Sequence, residues 1–294
     1  MLQWQHVGMP PDPGTPPAEA GISVAARVHL SHAVVQHLAE RAGADVLHLK
    51  GPAMFPGLRD PERTSSDVDV LVRPRHLTLL IDALEAHGWE RRTDFETGSP
   101  FAHAANWWHP AWGWADVHVA WPGAGIPAED LFDQLAAPGA TQLIAHHECP
   151  VPDRIGQRLI LLLHYARTPR GSDKEWAWDK APEADQEAVR VLAAQLDAHV
   201  ALAAALGELH LHRSHPDHDL WLHFSQGGDR LSEWQARMSS ARGTRARLRL
   251  ALAMVRVNRD YLAIELGRAP TREDVRRRQR ERLQRAVADL RSRL

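Results

Sequence analysis

The segment from Ser66 to Val72 reads Ser-Asp-Val-Asp-Val-Leu-Val and places two carboxylates in an otherwise apolar run. Successive side chains of a strand point to opposite faces, so Asp67 and Asp69 share one face about 6.5 to 7 Å apart, and the valines fill the other. Burying a carboxylate in a strand is unfavourable unless a metal or hydrogen-bond donors satisfy it. The segment therefore predicts a strand at a metal site. The alternative is a strand at a water-exposed sheet edge.

A third carboxylate lies in a later alternating segment. One predicted face of this segment carries Trp112, Trp114, Asp116 and His118, and the other carries Val117, Val119 and Trp121. Asp116 is the natural third metal ligand and the candidate general base. His118 either orients a phosphate or an acceptor, or is a structural histidine. Trp114 either stacks on a base or packs as core.

A lysine–glycine turn precedes the acidic strand. Val46 to Leu49 predicts a short strand that ends at Lys50 and Gly51, and the chain has only three lysines against 32 arginines. Lys50 can hold a phosphate as a point charge or extend from a strand end into solvent, and Gly51 permits close approach of the backbone. The polar loop that follows contains further candidates, which either bind phosphate oxygens or cap the turn: Arg63, Ser65 and Ser66.

The acidic set suits a particular class of metal. Octahedral Mg²⁺ usually takes one or two carboxylates, keeps several waters and leaves its other positions to substrate phosphates. Three carboxylates around an open site therefore favour a metal-dependent phosphoryl or nucleotidyl transferase, with Mg²⁺ as the expected cofactor and Mn²⁺ as the alternative.

In their order, these elements resemble the nucleotidyltransferase superfamily. More narrowly, they resemble a bacterial family of largely uncharacterised nucleotidyltransferases that is related to nucleotidyltransferase toxins. The matching elements are Leu49-Lys50-Gly51, Arg63, Ser66 to Val72, Asp116-Val117-His118, His164 at the end of an apolar helix, and Trp176, Trp178 and Asp179. The resemblance covers roughly residues 22 to 182.

The resemblance implies in-line attack of an acceptor on the α-phosphate of a nucleoside triphosphate, ATP among them, with release of pyrophosphate. It places the metals on Asp67, Asp69 and Asp116, and the nucleotide on Lys50, Gly51, Arg63, Ser65 and Ser66. The acceptor stays open between RNA, a peptide or protein, and a small molecule. Pro52 departs from the superfamily pattern, which has Gly or Ser there, because proline has no N–H to offer a phosphate.

Two other functions stay open. A catalytically silent relative would bind nucleotide or RNA without turnover. A metal-dependent glycosyltransferase of the Asp-x-Asp type would leave the third carboxylate unexplained.

The periodicity predicts an α+β fold with a nucleotidyltransferase-type mixed β-sheet and flanking helices, followed by a mainly helical C-terminal domain. Three regions are expected: a flexible proline-rich tail at 1–21, a catalytic domain at 22–152 and a helical domain at 153–294. Beyond those already given, the expected strands are Trp89 to Phe95, Ala104 to Trp108, Trp114 to Trp121 and Gln142 to Val151. The expected helices are Val24 to Arg41, Pro74 to His87, Arg154 to Arg167, Pro182 to Leu206, Arg230 to Ser240, Thr244 to Leu266 and Thr271 to Leu294.

Charge is divided unevenly along the chain of 294 residues, whose net charge is −2. Residues 230–294 carry 18 arginines, no lysine and seven acidic residues, a net of +11, which leaves −13 for residues 1–229. These Arg-rich C-terminal helices either contact a polyanion such as tRNA or pair with the acidic N-terminal region.

Other features indicate the compartment. Cys149 is the single cysteine, which excludes an internal disulfide and a cysteine-based zinc cluster. Without a signal-peptide pattern or an apolar run of 18 residues, we expect a cytoplasmic protein with no membrane contact. A histidine cluster between His210 and His218 offers imidazole ligands, although its spacing does not settle whether it binds a metal.

Overall fold

The structure is a computed structural model that describes residues 22–99, 101–228, 230–241 and 243–291, so the predicted tail at 1–21 lies outside the described residues. Its strands are β1 (Val46–Leu49), β2 (Asp67–Val72), β3 (Glu90–Arg91), β4 (Ala104–His109), β5 (Gly113–His118), β6 (Thr141–Ile144) and β7 (His147–Pro150). Its helices are α1 (Val24–Ala42), α2 (Leu77–Ala86), α3 (Ala128–Ala136), α4 (Arg154–Arg167), α5 (Glu183–Gln195), α6 (His199–Leu206), α7 (His218–Gln226), α8 (Arg230–Ser240), α9 (Thr244–Val255), α10 (Arg259–Leu266) and α11 (Arg272–Arg291). This confirms the predicted α+β class, with helices flanking a mixed sheet and a helical C-terminal part.

The main sheet has five strands in the order β1-β2-β5-β4-β3. Strands β2 and β5 pair in parallel, and the other neighbours pair antiparallel. Strand β2 therefore lies inside the sheet, with a partner on each side. This excludes the alternative in which the acidic segment is a water-exposed edge.

Two apolar layers cover the sheet. On one face, Val68, Val70 and Val72 pack with residues of α1 and α2, including Val35, Leu38, Leu80 and Leu84. On the other face, Leu47, Leu49 and Leu71 join a cluster that continues through α4 and α6, including Leu159, Leu162 and Ala201. This second layer joins the sheet to the helical part of the chain.

Helix α4 begins at a side-chain cap and also supports the lysine–glycine turn. Asp153 accepts a hydrogen bond from the Gly156 N–H at 2.8 Å. The buried side chain of Gln157 donates to the Ala53 carbonyl and accepts from the Phe55 N–H, both at 2.8 Å. The short 3₁₀ helix Gly51–Ala53 is therefore held against α4.

A hydrogen-bond chain lies between α1 and β1. The Gln36 amide donates to Glu40 at 2.8 Å, so its oxygen faces His48, whose Nε2 donates to it at 3.0 Å. The Nδ1 of His48 then accepts from the Nδ1 of His32 at 2.8 Å. Burial lowers the pKa of both histidines, that of His32 to about 3, so both are neutral near pH 7.

Several predicted element boundaries were wrong. The strand expected at Trp89 to Phe95 is only Glu90–Arg91, and helix α3 was not predicted. The segment Gln142 to Val151 is a separate hairpin of β6 and β7, whose turn residues Ala145 and His146 both have positive φ. Such a two-residue turn usually contains Asn or Gly, so this sequence gave no signal for it.

Two predicted long helices are each divided. Pro182 to Leu206 is broken at Asp197, which has φ +50°, and forms α5 and α6. Thr244 to Leu266 is broken before Asn258, whose side chain caps α10 by accepting from the Tyr261 N–H. Apolar periodicity continues across both breaks and hides them.

The predicted face of Trp121 was also wrong. Strand β5 ends at His118, and the bend that follows brings the Trp121 ring to 5.0 Å from the His118 ring, in the layer beside α4. The alternation rule holds only while the strand continues.

The Arg-rich C-terminal helices form several ion pairs with their own acids. Ion pairs among the described residues from 230 onward join Arg237 to Glu233, Arg268 and Arg277 to Asp274, and Arg278 to Glu265 and Glu281. The predicted pairing with the acidic N-terminal region is not among these ion pairs. Across the described part of the chain, no helix combines the length and the apolar character needed to cross a bilayer.

Candidate active site

The register of the central strands brings two carboxylates together. Asp69 on β2 lies directly beside Asp116 on β5, and Asp67 lies beside Trp114. Leu49, the last residue of β1, pairs with Asp69 from the other side. The Lys50–Gly51 turn therefore begins next to the carboxylate pair.

Asp69 is the buried centre of this arrangement, with 5% of its surface exposed. Its Oδ1 accepts from Lys50 Nζ at 2.8 Å and from His118 Nε2 at 2.9 Å. Burial alone would raise the pKa of Asp69, but Lys50 and His118 outweigh burial and hold the pKa well below its usual value. Asp69 is therefore a permanent anion inside the protein.

The turn that carries Lys50 has an unusual backbone. Lys50 has φ +47° and Gly51 has φ +54°. A Cβ at Gly51 would lie 2.8 Å from the Ser65 hydroxyl oxygen, closer than real Cβ contacts allow. Gly51 is thus required both by its conformation and by the approach of the loop that leads to Asp67.

Asp116 is electrostatically different from Asp69. It accepts a hydrogen bond from the side-chain amide of Asn106, its partner on β4. Burial and the charges of Asp67 and Asp69 raise the pKa of Asp116 to about 8. The site therefore contains mutually repelling carboxylates, a situation that a cation relieves.

The donor chemistry fits a hard divalent cation. One ligand atom from each of Asp69, Asp116 and His118 lies within 4.8 Å of the others. His118, however, uses its Nε2 proton to donate to Asp69, while its buried Nδ1 has no partner to receive a relocated proton. The carboxylates are therefore better ligands than His118, and oxygen ligands suit Mg²⁺ or Mn²⁺.

The sequence left His118 open between orienting a phosphate or an acceptor and a structural role. Only 3% of its surface is exposed, and burial lowers its pKa, so it is a neutral donor behind Asp69. This location favours a role in orienting Asp69. Trp114 of β5 is half-buried between Asp67 of β2 and Trp108 of β4. Asp67 is the first residue of its strand.

The predicted phosphate-binding loop is ordered by polar contacts. Ser65 Oγ accepts from Arg59 NH1 at 2.8 Å, and the Ser66 hydroxyl lies 3.5 Å from Asp67. Arg63, expected at the nucleotide, forms an ion pair with the buried Asp173 beyond α4. The loop is therefore fastened to the helical part through Arg63. Burial and the charge of Arg63 lower the pKa of Arg59, and the nearby charges of Asp69 and Asp67 offset part of that decrease.

Basic and aromatic side chains surround Trp121, close to the carboxylates. Lys50 Nζ lies 5.6 Å and the Arg167 guanidinium carbon 5.2 Å from the centre of a Trp121 ring. The His103 ring lies 5.3 Å from that of His118. This group joins the end of α4 to Asp69 through short contacts.

The sequence patterns did not predict Asn106, His103, Trp121 and Arg167 as neighbours of the carboxylates. One signal was present: Arg167 lies one helical turn after His164, so both lie on the same side of α4. Arg59 lies in the polar loop before β2, whose arginines were expected either to bind phosphate oxygens or to solvate the turn.

Two other features do not belong to the carboxylate site. A cavity of about 650 Å³ lies between α4, α6 and α7 and is lined by residues that include Tyr165, Leu209 and Arg213, but by none of the acidic strand residues. Within the described residues, His210, His212, His215 and His218 do not bring three ligand atoms within 4.8 Å of one another.

A model for a family described as uncharacterised nucleotidyltransferases matches residues 24–212. The chain belongs to this family. The matched segment contains the whole five-stranded sheet, the carboxylates and α4, so this nucleotidyltransferase family includes both the sheet and the first helices after it. The family resemblance inferred from the motifs is thereby confirmed.

No curated protein matches this nucleotidyltransferase family member. Among solved structures, the lincomycin-bound lincosamide antibiotic adenylyltransferase LnuA is 16% identical, with a TM-score of 0.33 over 55% of this chain and 94% of that one. The antibiotic-resistance factor ANT(2'')-Ia is 13% identical, with a TM-score of 0.36 over 64% and 95%. A nucleotidyltransferase-like protein from Paracoccidioides brasiliensis is 14% identical, with a TM-score of 0.33 over 68% and 93%.

Proposed function

We propose that the protein transfers a nucleoside monophosphate from a nucleoside triphosphate, ATP among the candidates, to an acceptor and releases pyrophosphate. The observation that carries the proposal is the pair of carboxylates on adjacent parallel strands, beside the Lys50–Gly51 turn. Family membership supports the reaction class. The acceptor stays open between RNA, a peptide or protein, and a small molecule.

Asp67, Asp69 and Asp116 would hold Mg²⁺, or Mn²⁺ in its place. Such a cation supplies charge neutralisation at a phosphate and lowers the pKa of a bound hydroxyl. Asp69 is suited to this because it stays ionised, and Asp116 because the cation relieves its repulsion from Asp67 and Asp69. Asp116 also offers an oxygen that can accept a proton from the acceptor hydroxyl.

The basic residues bind the phosphates in this proposal. Lys50 Nζ is already at the carboxylate pair, and Gly51 lets the loop that carries Ser65 approach the Lys50 turn closely. Arg59 and the hydroxyls of Ser65 and Ser66 lie along the loop into β2. Arg63 would act indirectly, by holding this loop against Asp173.

The proposed roles of the two parts of the chain follow the boundaries expected from the sequence. We propose that residues 22–152 form the catalytic domain and that residues 153–294 help to bind the acceptor. The Arg-rich helices remain the candidate surface for a polyanionic acceptor, since Arg268 and Arg277 are more than half exposed even within their ion pairs.

The test is transfer of an α-phosphate label. The protein, Mg²⁺ and each of the four α-labelled nucleoside triphosphates are incubated with RNA, protein and small-molecule fractions, and the release of pyrophosphate is measured in parallel. Label transfer with matching pyrophosphate release, absent in Asp69→Asn, would support the proposal. Nucleotide binding without transfer to any fraction would favour the catalytically silent relative, and binding of sugar nucleotides alone would favour the glycosyltransferase.

A further inference from the structure

Two arginines of α4, Arg158 buried and Arg167 half-buried, have different surroundings. Arg158 is 4% exposed, and its guanidinium is bonded to Asp185 at 3.1 Å and to the Ala177 carbonyl at 2.9 Å. Arg167, nine residues later and so on the opposite side of the helix, points to the carboxylate site. Among the residues that the structure describes, no carboxylate oxygen lies within 4.0 Å of its guanidinium nitrogens.

A neutral histidine holds Arg167 in place. The Arg167 NH1 lies 2.8 Å from His103 Nε2, and because a guanidinium only donates, Nε2 must be the acceptor. The His103 proton is therefore on Nδ1, which donates to Ser99 Oγ at 2.7 Å. Burial and the charge of Arg167 lower the pKa of His103, which keeps it neutral.

The consequence is a cation that is fixed in position but not neutralised. Burial lowers the pKa of Arg167 to about 10, which still leaves it charged at neutral pH. Asp69 and Asp116 are close enough to raise that pKa, yet neither forms an ion pair with it. Lys50 and Arg167 both lie against Trp121, so two cations converge on the region beside the carboxylates.

A half-buried guanidinium with no anionic partner among the described residues is a site for an anion of matching geometry. Phosphate oxygens accept two parallel hydrogen bonds from a guanidinium, and a triphosphate brings several charges to one place. On the strength of the proposed function, we propose that Arg167 binds a phosphate group of the nucleoside triphosphate and that His103 is the residue that positions it. The helical part of the chain then completes the nucleotide site.

The test separates ligand binding from folding. Dissociation constants for inorganic pyrophosphate, with Mg²⁺ and with EDTA, and for each nucleoside triphosphate with Mg²⁺ are measured by calorimetry, together with the melting temperature of the ligand-free protein. The variants are Arg167→Met, His103→Leu and His103→Gln. The control is Arg190→Met, which removes a surface arginine that lies 5.0 Å from a Trp178 ring and is paired with Glu208.

Arg167→Met should weaken pyrophosphate and triphosphate binding by on the order of ten- to a hundredfold, since it removes charged hydrogen bonds, and should not lower the ligand-free melting temperature. His103→Leu should weaken binding less than that. His103→Gln should restore most of the affinity, because the amide oxygen can accept from Arg167. Arg190→Met should bind like wild type.

Three results would overturn the assignment. One is wild-type affinity in Arg167→Met while the wild type binds triphosphate, which would leave the proposed function intact. Another is a lower melting temperature in Arg167→Met with unchanged affinities, the result expected of a structural arginine like Arg158. The third is failure of the wild type to bind either ligand, which would remove the proposed function as well.

Discussion

The two faces of strand β2 have opposite surroundings. Val68, Val70 and Val72 are completely buried against α1 and α2. Asp67 and Asp69, which alternate with them, lie on the side of Lys50, His118 and the end of α4. Because one strand supplies both faces, substitutions at the neighbouring positions Asp69 and Val70 should have different consequences.

The largest effect is expected at Asp69. Asp69→Asn removes the permanent anion with little change in volume, and the rate of nucleotide transfer should fall by on the order of a thousandfold, because a metal ligand contributes several kcal/mol to charge stabilisation. Steady-state transfer of α-labelled nucleotide measures this. Circular dichroism should show an intact fold. An active variant would mean that the carboxylate face does not carry the chemistry.

The neighbouring position should behave in the opposite way. Val70→Ala removes two buried methyl groups from the apolar face, which should lower the free energy of unfolding by about 2 kcal/mol. Urea denaturation measures the loss, and triphosphate affinity should be unchanged below the unfolding transition. Loss of affinity in this variant would show that the two faces are coupled.

Lys50 tests the polar face of β2 from a neighbouring strand. It forms an ion pair with Asp69 but follows the last residue of β1. Lys50→Met should weaken triphosphate binding by about tenfold, the loss of one charged contact, and should appear mainly as a raised KM. The ion pair with Asp69 is also lost, and the pKa of Asp69 should rise toward its usual value. If kcat alone fell, Lys50 would act in the transition state instead.

On the apolar side of β2, the free energy of unfolding should depend on pH through His32, whose side chain lies between α1 and β1. The pKa of His32 is about 3 in the folded protein against 6.5 when exposed, so its contribution to stability is complete above pH 6.5 and decreases as the pH falls toward 3, by about 1.4 kcal/mol per pH unit. Asp116 acts in the opposite direction because its pKa is raised to about 8.

A comparison of wild type with His32→Asn isolates the contribution of His32 to the pH dependence of stability. His32→Asn keeps a side-chain N–H for His48, and its free energy of unfolding should fall less steeply than that of wild type between pH 6.5 and 5.5. Urea denaturation at three pH values tests this. Equal slopes for the two proteins would show that His32 does not titrate on unfolding.

Local patterns predicted the parts of the fold that depend on them. The alternation around Asp67 and Asp69 gave strand β2, the apolar run gave α4, and the two short segments with Asp116 and Lys50 gave the strands on either side. The breaks at Asp197 and Asn258 and the turn at Ala145 depend on a single backbone conformation, which periodicity does not detect.

Local sequence patterns also predicted only part of the candidate site. The order of the motifs predicted a site at three carboxylates, and the register of β2 with β5 places two of them, Asp69 and Asp116, side by side. His103 and Arg167 are far apart in sequence and meet only because α4 packs on the sheet. Contacts of this kind depend on tertiary packing, so the sequence pattern did not contain them.

The most direct test of the central claim is the melting temperature with each nucleoside triphosphate, with and without Mg²⁺, for wild type and for Asp67→Asn/Asp69→Asn. We expect at least one triphosphate to raise the melting temperature of the wild type in a Mg²⁺-dependent way, and none to raise that of the double variant. Stabilisation of equal size in both proteins, or of neither, would contradict it.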